Sequence, residues 1–225
     1  MVQGHFCMND YLMVGTEGLN VDAWAGGFYD EDLPVDWRAA SYSTLLRSVL
    51  LHDHEWKKAI EEDWAAEVDE GFRFVLHAGI ADIETLMALP ENLARKVAGV
   101  IIEISSLPLT SRDRDALQGL AERVPVSIDV ASEMEPQQIE EINGLCRQLD
   151  ISRVWHPSAQ AVPLETGNLL VAILSDEGLP EQREIISVLD VWMTELRTAG
   201  IFHGSVENAP QHAQQTRLLA EMMGA

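Results

Sequence analysis

The sequence predicts an α/β fold, specifically a compact TIM-type (β/α)8 barrel formed by a single domain, residues 1–225. Three observations predict it. Short, continuously apolar segments alternate with helical patterns, these segments number eight, and 225 residues suffice for one barrel. Parallel strands are buried on both faces, which is why they are apolar along their whole length. An open doubly wound sheet is the alternative, since the same alternation builds both folds.

The predicted strands follow one another at regular intervals and are rich in β-branched and aliphatic residues. They are residues 11–16, 46–51, 73–77, 99–104, 126–130, 152–155, 169–174 and 200–203. Helical spacing predicts the helices 35–43, 54–67, 83–98 with an interruption at Pro90, 111–123, 136–149, 180–199 and 210–223. Only the sixth strand is followed by a loop in place of a helix, at residues 157–167.

Helix boundaries are marked by capping residues and prolines. Ser111 precedes one apolar-periodic segment, and Pro136 and Pro210 each lie at the first turn of another, where a missing N–H costs nothing. In the helix predicted at 180–199, apolar residues recur every three to four positions. That spacing indicates one face packed on the sheet.

The chain is strongly acidic, with 37 Asp and Glu against 15 Lys and Arg, a formal charge of −22. Such a field repels phosphate backbones and anionic headgroups, so nucleic acids and membrane surfaces are poor partners. A small polar molecule is the partner that we expect, with a cation or a neutral polyol favoured over an anion. The beginning of the chain lacks the pattern of a secretory signal, and Cys7 and Cys146 are far apart. A cytoplasmic location is therefore expected, while the oligomeric state stays open.

Polar and ionisable residues follow nearly every predicted strand. In a parallel barrel these positions surround the mouth at the C-terminal ends of the strands. The candidates are Thr16, Glu17, His52, Asp53, His77, Glu103, Asp129, His156, Asp176 and His203. Imidazoles and carboxylates that converge there would suit a divalent metal ion or acid–base chemistry on a small polyol. The alternative is that strand ends are polar simply because they meet water.

Two further features lie just after the first strand. Gly15 and Gly18 would bring backbone N–H groups to an anion, or form an ordinary turn. Trp24, Phe28 and Tyr29 would form either the wall of a ligand site or a plug over the barrel rim.

Three segments are similar to the YecE-like family, the domain of unknown function 72. Residues 14–34, VGTEGLNVDAWAGGFYDEDLP, resemble its opening GT-x-GW turn and W-x-G-x-FYP segment. Residues 64–78 are similar to the segment that leads into its third strand, and residues 202–223 to its closing strand and helix. The resemblance implies a TIM-type barrel, sometimes described as related to sugar isomerases, with no settled reaction.

Several polar positions depart from the family pattern. Leu50 replaces an acidic residue, His77 a lysine, Glu103 a glutamine, and Asp129 a glutamate, while Ala131 replaces an arginine. The Arg-Leu-His-Gly segment of the seventh strand is residues 173–176 here, ILSD, and Phe-Asn-Asn of the eighth is residues 202–204, FHG. The resemblance therefore implies a divergent member whose site is rewritten or lost.

Two hypotheses follow. The first is an enzyme that acts at the barrel mouth on a small polar metabolite, related to sugar isomerases. Its predicted catalytic residues are Asp129, Glu103, His77 and His203, and its predicted substrate-binding residues are Thr16, Trp24 and His52. A divalent metal is one candidate cofactor for this set. The second hypothesis is a non-catalytic barrel that binds a ligand or a protein partner. It is based on the lost acid at Leu50 together with the lost Arg and His of the family's seventh strand.

Overall fold

The computed structural model describes residues 12–131, 134–160, 162–164, 166–175, 177–193, 197–204 and 207–225. Eight parallel strands form one sheet in the order β6-β5-β4-β3-β2-β1-β8-β7. The two edges of this sheet meet at Trp155, whose backbone N–H donates to the carbonyl of Val171 at 2.8 Å and whose carbonyl accepts from Ile173 at 3.0 Å. This bridge brings β6 against β7 and closes the predicted (β/α)8 barrel.

The strands are β1 (Leu12–Glu17), β2 (Ser48–Leu51), β3 (Arg73–Gly79), β4 (Val97–Ile104), β5 (Val126–Val130), β6 (Ser152–Arg153), β7 (Leu169–Leu174) and β8 (Thr198–His203). The helices are α1 (Arg38–Leu45), α2 (Asp53–Glu61), α3 (Trp64–Glu67), α4 (Ile83–Leu86), α5 (Glu91–Ala94), α6 (Ser111–Ala121), α7 (Pro136–Leu149), α8 (Leu179–Trp192) and α9 (Ala209–Met223). Short 3₁₀ helices lie at Asp22–Trp24, Val35–Trp37 and Ile80–Asp82. Among the described residues between β6 and β7 there is no helix, as predicted.

Three predicted helices are wrong in extent. The helix predicted at 54–67 divides into α2 and α3, because Asp63 between them has φ +52°. The helix predicted at 83–98 consists of two single turns, α4 and α5, separated around Pro90, and β4 already begins at Val97. The helix predicted at 180–199 ends at Trp192, because Met193 is extended (φ −64°, ψ 142°), and β8 begins at Thr198. At 83–98 the apolar Val97 and Ala98 of β4 continue the helical spacing, so the pattern alone does not locate that boundary.

The barrel interior is filled by residues of one face of each strand. Its buried members are Met13, Leu50, Val75, Ile101, Val154, Leu169, Val171 and Phe202. Successive residues of a strand point to opposite faces, so every second residue beyond these also faces inward. The alternation therefore determines which strand-end side chains reach the mouth.

The opposite face of each strand packs against the helices. Large side chains such as Trp24, Trp56, Trp64 and Tyr42 are buried in this outer layer. Gly15 lies where β1 closely approaches β2, and a Cβ there would be only 2.0 Å from the Ser48 carbonyl oxygen. Among the described helices, none combines the length and apolar character needed to cross a bilayer.

Candidate functional site at the barrel mouth

Six ionisable residues lie two positions beyond an inward-facing residue. They are Glu17, His52, His77, Glu103, Asp129 and His156, which follow Gly15, Leu50, Val75, Ile101, Ser127 and Val154. By alternation, their side chains point toward the barrel axis. They lie at the C-terminal ends of six strands or just beyond those ends. The barrel therefore brings together groups that are up to 139 residues apart, counted from position 17 to position 156.

Five of these side chains form a continuous chain across the mouth. Nε2 of His52 lies 3.4 Å from Oε1 of Glu17, and its Nδ1 lies 3.2 Å from Nδ1 of His77. On the other side, Nε2 of His77 lies 3.5 Å from Oδ2 of Asp129, an ion-pair distance. Oδ1 of Asp129 lies 3.0 Å from Nε2 of His156. We call this set, Glu17, His52, His77, Asp129 and His156, the mouth chain.

Asp129 is the central carboxylate of the mouth chain. Burial opposes its ionisation, but the hydrogen bond with His156 and the contact with His77 outweigh that cost and hold its pKa well below the usual range. The backbone N–H of Val130 also donates to Oδ1 at 2.9 Å. Asp129 is therefore a carboxylate at any neutral pH, a weak base, and suited to orient and stabilise protonated imidazoles.

The two outer histidines are biased toward the protonated form. The hydrogen bond to Glu17 raises the pKa of His52 against the opposing effect of burial, and the hydrogen bond to Asp129 does the same for His156. When His52 carries protons on both nitrogens, its Nδ1–H donates to Nδ1 of His77. His77 then holds its own proton on Nε2, facing Asp129. The mouth chain thus places two adjacent imidazoles between the carboxylates of Glu17 and Asp129 and a third imidazole beyond Asp129.

The segment before α2 is held in place by a buried carboxylate. Glu55, only 7% exposed, accepts from the backbone N–H of His52 at 3.4 Å and of Leu19 at 3.2 Å. Gly18 has φ +73°, and a Cβ there would be 2.9 Å from Oε1 of Glu55. The N–H of Gly18 donates to the Leu50 carbonyl. The turn after β1 that contains Gly18 therefore holds His52 in place. The N–H groups of Gly18 and Leu19 in this turn make hydrogen bonds within the protein.

An open cavity of about 1170 Å³ lies over one side of the mouth chain. His52, His77, Asp129 and His156 line it, and Glu103 stands exposed on its rim. Further wall residues come from the loop after β6 and from α7, including Ser158, Gln160 and Ile139. A polar cavity of this size accommodates a small metabolite beside the imidazoles.

Two predicted substrate-binding residues face away from this cavity. The Thr16 hydroxyl is fully buried, donates to the Gly18 carbonyl at 2.7 Å and lies 2.9 Å from the Tyr42 hydroxyl. Trp24 is 1% exposed and packs edge-on against Phe28. The aromatic residues after β1 are therefore packed into the outer layer. His52 is the predicted substrate-binding residue that does line the cavity.

His203, a predicted catalytic residue, lies outside the mouth chain. It follows the inward-facing Phe202 by one position, so it points into the helix layer. It is 2% exposed, and its Nε2 lies 2.8 Å from the Thr216 hydroxyl of α9, which donates to Gln182 of α8. Burial and the neighbouring His212 lower its pKa to about 4. His203 is therefore a neutral, buried structural histidine.

The structure adds residues to the predicted set. Glu17 and His156 were strand-end candidates outside the predicted catalytic set. Both lie two positions after an inward-facing residue, and this spacing identifies them as residues of the mouth. Arg153 also lines the cavity, and no sequence pattern indicated it. Asp176, another strand-end candidate, is outside the described residues. No group of three or more His, Cys, Asp and Glu side chains within the described part of the chain is arranged to hold a metal ion.

The fold and the mouth chain define a TIM-type barrel with a histidine- and carboxylate-lined mouth. Solved structures of two DUF72 family proteins share the fold. The one from Thermotoga maritima has a TM-score of 0.67 and 15% identity, with 94% of this chain and 99% of that chain covered. The one from Enterococcus faecalis has a TM-score of 0.61 and 15% identity, with 94% of each chain covered. They confirm, as a likeness of fold, the predicted resemblance to the YecE-like family.

A third structure shares the barrel more distantly. Orotidine 5'-monophosphate decarboxylase from Methanocaldococcus jannaschii has a TM-score of 0.52 and 11% identity, with 93% of this chain and 98% of that chain covered. No protein-family model and no curated protein matches the chain.

Proposed function

We propose that this protein is a divergent YecE-like barrel that catalyses proton transfer on a small polar metabolite, such as a sugar derivative, at its mouth. The supporting observation is the mouth chain, in which a half-buried, ionised Asp129 contacts two imidazoles beside an open cavity. Isomerisation of a hydroxy-carbonyl compound needs one group that removes a proton from carbon and one that protonates oxygen, and carboxylates and imidazoles perform these tasks near neutral pH.

The roles follow from the contacts. His156, biased toward its protonated form by Asp129, is the general acid. Glu103, the carboxylate exposed on the rim, is the general base, and His77 links the imidazole of His52 to Asp129. Asp129 orients both imidazoles, and Glu103 contacts the ligand from the rim. Thr16 and His203 make buried contacts away from the cavity, so we assign these two residues structural roles.

The test is incubation of the purified protein with small aldoses and ketoses in D₂O. Removal of a carbon-bound proton and its return from solvent places deuterium in the sugar, which NMR detects directly. We expect exchange with the wild type and a loss of at least about 100-fold in Asp129→Asn and in Glu103→Gln. His203→Gln is the matched control and retains exchange at neutral pH, because His203 faces away from the mouth. Exchange undiminished in Asp129→Asn would contradict the proposal.

A ligand-binding barrel without catalysis is the second candidate. It is favoured by Leu50, which stands where the family has an acid and is fully buried between the inward-facing residues of neighbouring strands. The second strand therefore offers the mouth no carboxylate. A ligand that raises the melting temperature by mass action, with no deuterium exchange, would support this candidate over the enzyme.

A further inference from the structure

A single strong cation borders the cavity in this acidic protein. Arg153 is the only arginine or lysine among the described residues that line the cavity. Val154 and His156 point into the barrel, and Arg153 lies one position before Val154, so its side chain points to the opposite face. On that face α7 and the loop after β6 form the cavity wall. Its guanidinium is close enough to the mouth chain to interact electrostatically with Asp129 and His156.

The partners of Arg153 hold it in place, and among the described residues none of them is a carboxylate at ion-pair distance. Asp129 and Glu140 act on it electrostatically from farther away. Nη1 donates to the Asn143 amide oxygen at 3.0 Å, and Nη2 donates to the Gln160 amide oxygen at 2.8 Å. Nε is buried and makes no hydrogen bond among the described residues. Amide oxygens fix the guanidinium plane but carry no formal charge. A half-buried guanidinium so held retains its attraction for an anion.

The carboxylates of the cavity are mostly compensated by other cations. Lys57 lies 2.9 Å from Asp53 and 3.0 Å from Asp82. Asp129 contacts two imidazoles of the mouth chain. Glu103 remains on the rim, exposed to water that screens it. The local field beside Arg153 therefore differs from the strongly negative average of the chain.

We propose that the metabolite taken by the mouth carries an oxyanion, a carboxylate or a phosphate, which Arg153 binds while the hydroxylated part of the molecule reaches Glu103 and His156. This inference rests on the proposed function and narrows its substrate class to an acidic sugar derivative. It differs from the expectation from net charge, which favoured a cation or a neutral polyol. The planar guanidinium fork suits both oxyanions.

The test measures the affinities of gluconate, glucose 6-phosphate and glucose by calorimetry at low ionic strength. We expect at least one of the two anions to bind the wild type more tightly than glucose, by about ten- to hundredfold. Whichever anion binds more tightly identifies the oxyanion. Arg153→Met is expected to abolish the preference and leave the affinity for glucose unchanged, while Arg153→Lys retains part of it. Arg147→Met, which removes an exposed arginine of α7, is the matched control and preserves the wild-type affinities.

A second variant keeps the test decisive if Arg153→Met does not fold. Gln160→Glu places a carboxylate on the guanidinium and is expected to lower the affinity for the anions without loss of Arg153. Equal affinities for all three probes in the wild type, or an equal loss for all three in Arg153→Met, would overturn the inference. Deuterium exchange on a neutral sugar that depends on Asp129 would then still support the proposed function. Binding of none of the probes, together with no exchange, would overturn both.

Discussion

The mouth chain and the buried contacts of His203 with Thr216 place histidines at strand ends in opposite chemical surroundings. His52 and His156 face the barrel axis and contact carboxylates, which raise their pKa values. His203 faces the helices, hydrogen-bonds with a hydroxyl and is held neutral by burial. A shift of one residue along a strand moves a side chain from one face to the other. The same residue type thus has a chemical role on one face and a packing role on the other.

The largest expected effect concerns His203→Gln in acid. In the unfolded protein His203 has a pKa of 6.5, whereas in the folded protein its pKa is about 4. Between these two pH values the unfolded state binds the proton more readily, so the wild type loses stability as the pH falls. The loss amounts to roughly 3 kcal/mol at the lower end. His203→Gln lacks this loss, as urea unfolding at pH 7.5, 6, 5 and 4 would show.

The matched control for that experiment is His54→Gln, which removes an exposed histidine of α2. It is expected to keep the wild-type dependence of the free energy of unfolding on pH. If His203→Gln and the wild type lose stability in parallel as the pH falls, His203 is not the buried neutral group described above.

A smaller effect is expected for Asp129→Asn. The lowered pKa of Asp129 stabilises the fold above pH 3.8 and the raised pKa of His156 stabilises it below 6.5, so the pair contributes most between these values. Near pH 5.5 the variant is expected to be less stable by about 2 kcal/mol. The difference should narrow as the pH rises through the folded pKa of His156.

The control for Asp129→Asn is Glu91→Gln, which breaks the exposed pair between Glu91 and Arg95. Exposed pairs contribute little, so its unfolding curves should follow those of the wild type at each pH. A deficit in Asp129→Asn that stays constant from pH 5.5 to 9 would show that the imidazole contact does not cause it.

The smallest effect is expected for Glu17→Gln. Loss of the carboxylate lowers the pKa of His52 toward 6.5, but the His52 side chain is 36% exposed and solvent screens the pair. We expect less than about 1 kcal/mol in the free energy of unfolding. NMR titration should show the His52 pKa falling more than that of His156. Equal shifts at the two histidines would contradict the order of contacts in the mouth chain.

The sequence was sufficient to predict the strand count, the barrel and the loop after β6, because buried parallel strands are apolar along their length. It was also sufficient to place His77, His52, Glu103 and Asp129 at the mouth. The sequence did not distinguish these four residues from Thr16 and His203, which point into the helix layer. Because the strands are apolar on both faces, their sequences do not show which face points into the barrel. Arg153 could not be predicted, since its place in the cavity depends on α7 and on the loop after β6.

NMR titration of the histidines in the wild type tests the comparison between the two regions most directly. The contacts predict that His52 and His156 titrate above 6.5, and that His203 stays neutral until about pH 4. All three histidines titrating together near 6.5 would contradict both the carboxylate contacts of the mouth chain and the burial of His203.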